Sequence, residues 1–284
     1  MAKVDLHIHS NCSDGSDSVS ELLKKIETAN IKIFALTDHD TVEGCREAEK
    51  FTNNFIKGVE LTCQAEDIKC HILGLNCDIS NENLTKLIEK GKKLRRIKLE
   101  TRVKYLREKW NIELTKDELE WLYSRKSVVK THFANIIVNR GLSPDPVSAM
   151  KKYLDECKVP NTRFDITEAM EALNSSGAIP VWAHPRGGEG EEHLNEQEFI
   201  SKLKIMLLYG IKGHECYYSR YNEAEEEFLV NCVKRNNLLI SGGSDYHGTN
   251  KKNISLAKLN CDNKPVDSDL LTVLNALAAS DRSS

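Results

Sequence analysis

No CxxC pair occurs among the nine cysteines of this 284-residue chain, and their number is odd. A disulfide framework of the secreted kind is therefore not indicated, and reduced thiols acting as small core residues are expected. Cys12, Cys63, Cys70, Cys77 and Cys216 fall near histidine-bearing segments but are read as core residues rather than metal ligands. The N-terminus, MAKVDLHIHS, lacks an apolar signal core, and no stretch approaches the roughly 20 apolar residues of a membrane span. A cytoplasmic location without membrane contact is the expectation. An excess of one charge is missing as well: 40 Lys/Arg against 43 Asp/Glu leave a net of -3, which argues against holding nucleic acid by bulk charge. There is no internal repeat, no low-complexity tract, and no G-x-S-x-G or Ser-His-Asp arrangement to supply a side-chain nucleophile.

What is present is an ordinary globular composition, 40% hydrophobic and 29% charged, long enough for one large domain or two modest ones. In VDLHIHS, Val4, Leu6 and Ile8 alternate with Asp5, His7 and His9, the period of a strand with unlike faces. Both imidazoles then point the same way, and the Asp-Gly turn that follows brings in Asp14. Ser18 and Glu21 have capping-box spacing, and Val19, Leu22, Leu23 and Ile26 form a helical stripe ending near Asn30. IKIFALTDHD reads as a strand buried on both faces, a short helix spans about 41 to 52, and GVELT and CHILGL are further strands. From about residue 80 the texture is purely helical, and residues 81 to 110 hold eleven Lys/Arg against four Glu. The strand-helix rhythm returns with AIPVWAHP, GIKGHECYY and LLISGGSDYH. The expected organisation is thus 1–79, an inserted helical subdomain 80–157, and 158–284.

The polar residues fall within or at the ends of these strand-like runs. In a parallel β/α barrel the C-terminal strand ends converge on one face, which holds the active site. His7, His9, Asp14, His39, Glu60, His71, His184, Asp245 and His247 would meet there. A lone buried His is more often a hydrogen-bonded core residue, but two imidazoles side by side on one strand face are costly to desolvate unless a metal takes them. Nitrogen and oxygen donors suit Mn²⁺, Fe²⁺ or Zn²⁺ and fit Ca²⁺ poorly. Nine donors exceed one ion's needs, so two or three are expected, with a carboxylate such as Glu60 bridging. Asp38 and Asp40 beside His39 read as turn formers, Asp40 equally as a substrate-binding residue.

Taken in order, DLHIHSNCSDGS, ALTDHDTVEG, GVELT, HILG, WAHP and SGGSDYHG resemble the successive motifs of the PHP (polymerase and histidinol phosphatase) family, in its stand-alone phosphoesterase branch. The resemblance covers residues 3 to about 77 and about 160 to 250. It implies a distorted seven-stranded β/α barrel, a trinuclear Mn, Fe or Zn centre, and a helical insertion capping the mouth. Carried over by position, His7, His9, Glu60 and Asp245 would hold one metal, Glu60, His71 and His184 a second, and Asp14, His39 and His247 a third. His214 in GHECYY is a departure from the pattern and receives no role.

Such a cluster activates water, clamps phosphoryl oxygens and neutralises a leaving alkoxide. The expected reaction is in-line attack of metal-bound hydroxide on phosphorus, supported by Glu60 and Asp245. Arg220 beyond a strand end, and Lys130 with His132 opening a helix, are the candidate phosphate contacts. Lys130 reads almost equally as a surface lysine and His132 as a cap or packing residue. Arg95 and Arg96 on the basic helix, and Arg186 in the Gly-rich HPRGGEGEE loop, are further contacts to test. Substrates in the resembling branch are nucleoside 3′,5′-bisphosphates, short RNA 5′ ends and phosphoribosyl cyclic phosphates. PVWAHPRGGEGE, ECYYSRY and SGGSDYHGTNK resemble the last group most. No obligate protein partner is evident. Two alternatives are an amidohydrolase-type metal hydrolase, disfavoured because Glu60 stands where a lysine would be carboxylated, and a catalytically silent metal-binding interaction module.

Overall fold

The structure is a computed structural model and describes residues 2–280 apart from 126, 127, 129, 189 and 190. Val129 of the VKTHFA segment and Glu189 and Gly190 of the Gly-rich loop therefore lie outside the described residues, as do the chain's first and last few. In chain order the elements are β1 (Lys3–Asp5), α1 (Val19–Thr28), β2 (Ile31–Leu36), α2 (Glu43–Ala48), β3 (Ile56–Ala65) and β4 (Ile68–Leu75). Four helices follow: α3 (Glu82–Trp110), α4 (Lys116–Ser124), α5 (Lys130–Asn139) and α6 (Pro146–Tyr153). The remainder is β5 (Phe164–Asp165), α7 (Ile166–Ser175), β6 (Ile179–Trp182), α8 (Glu196–Leu208), β7 (Gly213–Tyr218), α9 (Glu223–Arg235), β8 (Leu239–Gly243) and α10 (Val273–Ser280).

Residues 1–88 and 163–284 form one compact unit, and 89–162 a second. The first unit is built on a mixed eight-stranded sheet ordered β1-β2-β3-β4-β6-β7-β8, with β5 paired to β3. Most pairs are parallel, but β4 runs antiparallel to both β3 and β6. Between β1 and β8 there is no continuous ladder. Single bonds join these edges instead: Leu6 N–H to the Gly242 carbonyl at 3.3 Å, Asp245 N–H to His7 at 2.9 Å, and His9 N–H to Tyr246 at 2.9 Å. The α/β class stands; a closed seven-stranded ladder is not what is observed.

Local chemistry explains the elements. Ser18 and Glu21 form the reciprocal cap of α1, whose Val19, Leu22 and Ile26 are buried. The regular part of β1 stops at Asp5, earlier than the alternation suggests, and its register with β2 shifts between Lys3 and Val4. The segment goes on to His9 with both faces buried, so Asp5, His7 and His9 are as inaccessible as Leu6 and Ile8. Gly243 makes this approach feasible: a Cβ there would lie 2.2 Å from the His7 Cβ. Asp5 then locks the junction, accepting from Ser244 N (2.8 Å), Ser244 Oγ (2.7 Å) and Ala257 N (2.7 Å). Its burial pushes the carboxyl up to about 6 against those bonds.

The second unit has its own core, in which Leu99, Leu106, Leu122, Phe133, Ile137 and Leu154 are buried. Thr115 and Glu118 cap α4 reciprocally, and Asp145 caps α6 ahead of Pro146. Eight of the nine cysteines are buried and free, Cys261 being exposed. Among the described residues no helix is long and apolar enough to cross a membrane.

His214, inaccessible on β7, meets the edge of Phe199, and its Nδ1 faces the Glu215 carbonyl at 3.2 Å and the Cys216 Sγ at 3.6 Å. Burial depresses it to about 4, against a small raising effect of that carbonyl. The unfolded chain takes up a proton near pH 6.5 that the folded chain refuses until about pH 4, so stability falls as pH drops through that window. Replacement His214→Leu should flatten the acid side of the stability profile between pH 6.5 and 4, by on the order of 3 kcal/mol at the lower end. Chemical denaturation of both proteins across that range measures it.

Candidate metal centre

Glu60 lies in β3, a strand flanked by β2 and β4, and its carboxylate is inaccessible. Five imidazoles surround it. His7 Nε2 (3.1 Å), His9 Nε2 (3.1 Å) and His39 Nδ1 (3.2 Å) face Oε2. His71 Nδ1 (3.1 Å) and His184 Nε2 (3.2 Å) face Oε1. Asp245 Oδ1 closes one side at 3.6 Å from His7 and 3.4 Å from His9. Asp14 closes the other, with Oδ1 3.1 Å from His247 Nε2 and Oδ2 3.8 Å from His39 Nε2. The sheet thus gathers all nine candidate donors into one cluster. His71 arrives differently from the others: it projects from the middle of β4, which runs antiparallel to β3 and pairs it with Thr62.

Backbone geometry aims several of these side chains. Asp245 (φ 59°), Asp40 (φ 50°) and His184 (φ 28°) adopt left-handed conformations just past strand ends, a cost of roughly 1–3 kcal/mol each. Around them, buried acids hold the loops. Asp38 accepts from Ser10 N (2.8 Å), Ser10 Oγ (2.7 Å) and Ser13 Oγ (2.7 Å). Asp40 receives the Thr62 N–H at 2.8 Å while its own N–H bonds to the Glu60 carbonyl at 2.8 Å. One oxygen of its carboxylate thereby ties the β2 end to β3.

Electrostatics favour added positive charge. Burial alone would push Glu60 up, but His39, His7 and His71 hold it well below the usual carboxylate range. Asp245 is likewise held low, by His7, His9 and Lys251 against its burial. Burial would depress His7, yet Glu60, Glu215 and Asp245 raise it; His9 is drawn up to about 9 against burial by Asp245 and Glu60, and His184 to about 10 by Glu191 and Glu60. His39 goes the other way, to about 3, because burial outweighs Glu60 and Asp14. Several buried atoms have no hydrogen-bond partner, among them both nitrogens of His9, Asp245 Oδ1 and His247 Nε2. Converging acceptors in that state are what divalent cations satisfy. Four overlapping groups have donor atoms close enough for an ion: His9/Asp14/His39/His247, His7/His9/Glu60/Asp245, His39/Glu60/His71, and His71/His184/Glu191.

Four participants escape sequence reasoning. Glu191 lies 3.2 Å from His184 Nδ1 and accepts the Gly188 N–H at 2.8 Å. Its only signal was its place in an acidic, Gly-rich loop. Glu215 on β7 meets His7 Nδ1 at 3.0 Å and receives the His184 N–H at 2.7 Å, so one carboxylate positions two imidazoles. Lys251 (2.7 Å) and Tyr218 (3.0 Å) both bond Asp245 Oδ2. Neither a strand glutamate nor a loop lysine is distinctive before the strands are placed.

The remaining candidates have the following surroundings within their own units. Lys130 pairs with Asp155 at 2.8 Å, and His132 packs edge-on against Trp121 at 5.5 Å with burial and Arg125 depressing it. Both belong to the second compact unit. Arg186 is buried, donates Nε–H to the Leu194 carbonyl at 2.9 Å and lies 3.5 Å from Glu225; it holds the 186–194 loop. Arg96 pairs with Glu100 at 2.8 Å and stacks on Tyr123 at 3.7 Å. Arg220 is exposed, two residues past the end of β7. A cavity of about 490 Å³ adjoins His71, His184 and Glu191 and is bordered by Lys69, Arg163 and Lys202.

The PHP domain family model matches residues 5–177. The chain belongs to the PHP family. A 5′-3′ exoribonuclease of Haemophilus influenzae is 30% identical over 253 residues, 86% of this chain and 90% of that relative. A 3′,5′-nucleoside bisphosphate phosphatase of Chromobacterium violaceum is 26% identical over 258 residues, 87% and 88% of the two chains. Among solved structures, a Bifidobacterium adolescentis protein assigned as a metal-dependent phosphoesterase superposes with a TM-score of 0.76 at 24% identity, over 98% of this chain and 96% of its own. That last likeness is one of fold.

Glu215 provides a test of how the centre is held together. Glu215→Gln keeps the shape but removes the charge that orients His7, so metal affinity should fall about 10–100-fold with the fold retained. Metal titration followed by elemental analysis, alongside circular dichroism, checks both halves.

Proposed function

We propose that the protein is a metal-dependent phosphoesterase that hydrolyses a phosphate ester on a ribose-based substrate. The observation that carries this reading is the buried Glu60 carboxylate shared by five imidazoles, with Asp14, Asp245 and His247 extending the donor set on either side. The named relatives act on RNA and on nucleoside bisphosphates, both esters of ribose. A short RNA 5′ end, a nucleoside 3′,5′-bisphosphate and a phosphoribosyl cyclic phosphate are the substrates to separate. We also read the sheet as a distorted barrel, on the strength of the bonds that join β1 to β8.

His7, His9, Glu60 and Asp245 would hold one ion, Glu60, His71 and His184 with Glu191 a second, and Asp14, His39 and His247 with His9 a third. Mn, Fe and Zn all suit this nitrogen and oxygen donor set. Bound there, such ions would supply Lewis-acid polarisation of the phosphoryl group and activation of water near neutral pH. The chain's own residues set the stage for that chemistry. Glu215 accepts the His7 Nδ1–H and so turns Nε2 toward Glu60. The Asp245 carbonyl, 2.8 Å from His247 Nδ1, does the same for that ring and leaves Nε2 facing Asp14. Lys251 and Tyr218 occupy Asp245 Oδ2 and leave Oδ1 toward the imidazoles. Arg220, exposed beyond β7, is the proposed bidentate contact for substrate phosphate.

A screen over ribose phosphates and short 5′-phosphorylated RNA with Mn²⁺ added, reading inorganic phosphate and released nucleotide, tests the reading; no product from any of them refutes it. Asp245→Asn should lower metal content and kcat together. Arg220→Lys keeps a charge but loses the fork, so kcat/KM should drop by about 1.5–3 kcal/mol in transition-state stabilisation with metal content normal. Kinetics and metal stoichiometry measured side by side distinguish the two roles.

A further inference from the structure

Residues 89–162 carry eighteen Lys/Arg against ten Asp/Glu, whereas the whole chain nets -3. Most cations of α3 are spent at the surface: Lys92 pairs with Glu89 (2.7 Å), Arg96 with Glu100 (2.8 Å) and Lys104 with Glu108 (3.9 Å), while Lys109 meets Glu156. Arg102 is the exception. Its side chain is turned inward and only 4% exposed, and its Nε and Nη1 make no hydrogen bond. The guanidinium carbon stands 5.9 Å from the ring of Phe133, on the first turn of α5. Cys157 borders the same place: burial raises its thiol, while Arg102 and Lys130 both act on it in the opposite direction. Lys130 itself opens α5 and leans on Asp155.

A buried guanidinium without a carboxylate is strongly unfavourable, and a methionine or leucine would pack against Phe133 without that cost. A partner that arrives from solution removes the difficulty. The guanidinium fork takes two oxygens of one group, the start of α5 adds partly positive amides, and Lys130 adds a second cation. Two cations and a helix N-terminus match a multiply charged group better than a carboxylate. We propose that Arg102, with Lys130 and the first turn of α5, forms a phosphate-binding site inside the helical insertion. The choice of phosphate among anions rests on the phosphoesterase reading; the binding itself does not, because it is read without turnover.

The test is thermal unfolding of the full chain, wild type against Arg102→Leu, in buffer free of phosphate and sulfate and then across a series of inorganic phosphate. Without phosphate the variant should unfold at the higher temperature, since a buried unpaired cation is gone. Added phosphate should raise the wild-type Tm more than the variant's and close or reverse the gap. Phosphate held at the metal centre raises both proteins alike and leaves the gap unchanged. A gap of either sign that stays constant through the series overturns the proposal. A nucleoside 3′,5′-bisphosphate and the unphosphorylated nucleoside, run in parallel, separate the sources. Closure by the bisphosphate at lower concentration than by inorganic phosphate places a substrate's phosphate here, and equal closure points to free phosphate. Closure by the bare nucleoside overturns a phosphate site. Should Arg102→Leu fail to fold, hydrogen exchange on the wild type decides: phosphate should slow exchange of the amides at the start of α5, and no change there sinks the idea.

Discussion

A single carboxylate, that of Glu60, organises the first compact unit. An ionised carboxylate removed from water costs several kcal/mol even after relaxation, and it survives only among groups that oppose its charge. Here the compensating groups are five imidazoles that come from β1, the end of β2, β4 and the end of β6. Each of those segments must therefore pass within reach of one point. The reversal of β4 follows the same demand, since it brings His71 to Oε1 and fills the sheet between β3 and β6.

Around that point, a ring of further acids positions loops. Asp5 stitches the start of the chain to the segment after β8, Asp38 holds the loop that carries Asp14, and Asp40 pins β2 to β3. Most of their bonds run to backbone N–H groups or serine hydroxyls, which fixes loop direction without adding charge to the centre. These bonds offset the left-handed backbone of Asp40, His184 and Asp245. Glu215 belongs to the same ring but reaches the imidazoles directly, joining the His7 ring to the His184 backbone.

Charge is divided between the two compact units. The sheet-based unit concentrates buried carboxylates, while the helical one is basic and has a separate apolar core. Neither core shares its buried residues with the other.

Residue type and strand period were sufficient to pick out nine candidate donors that the fold brings together, because the types that can bind a metal recur at successive strand-like runs. The capped helix α1 and the helical interruption were legible for a similar reason: capping boxes and helical stripes are local patterns. Glu215, Glu191, Lys251 and Tyr218 were not legible. Their importance lies in which imidazole or carboxylate each touches across 6 to more than 200 residues of chain, and nothing local marks such a partner. Asp40 is a related case. Beside His39 it reads equally as a turn former and a substrate-binding residue, and only the fold reveals the bond from the Thr62 N–H of the next strand to its carboxylate. Sequence by itself determined which chemistry the chain can hold, because donor type is a property of the side chain. Tertiary structure decided which donors face one another, since strand direction and loop closure are settled by packing and by the placement of buried charge.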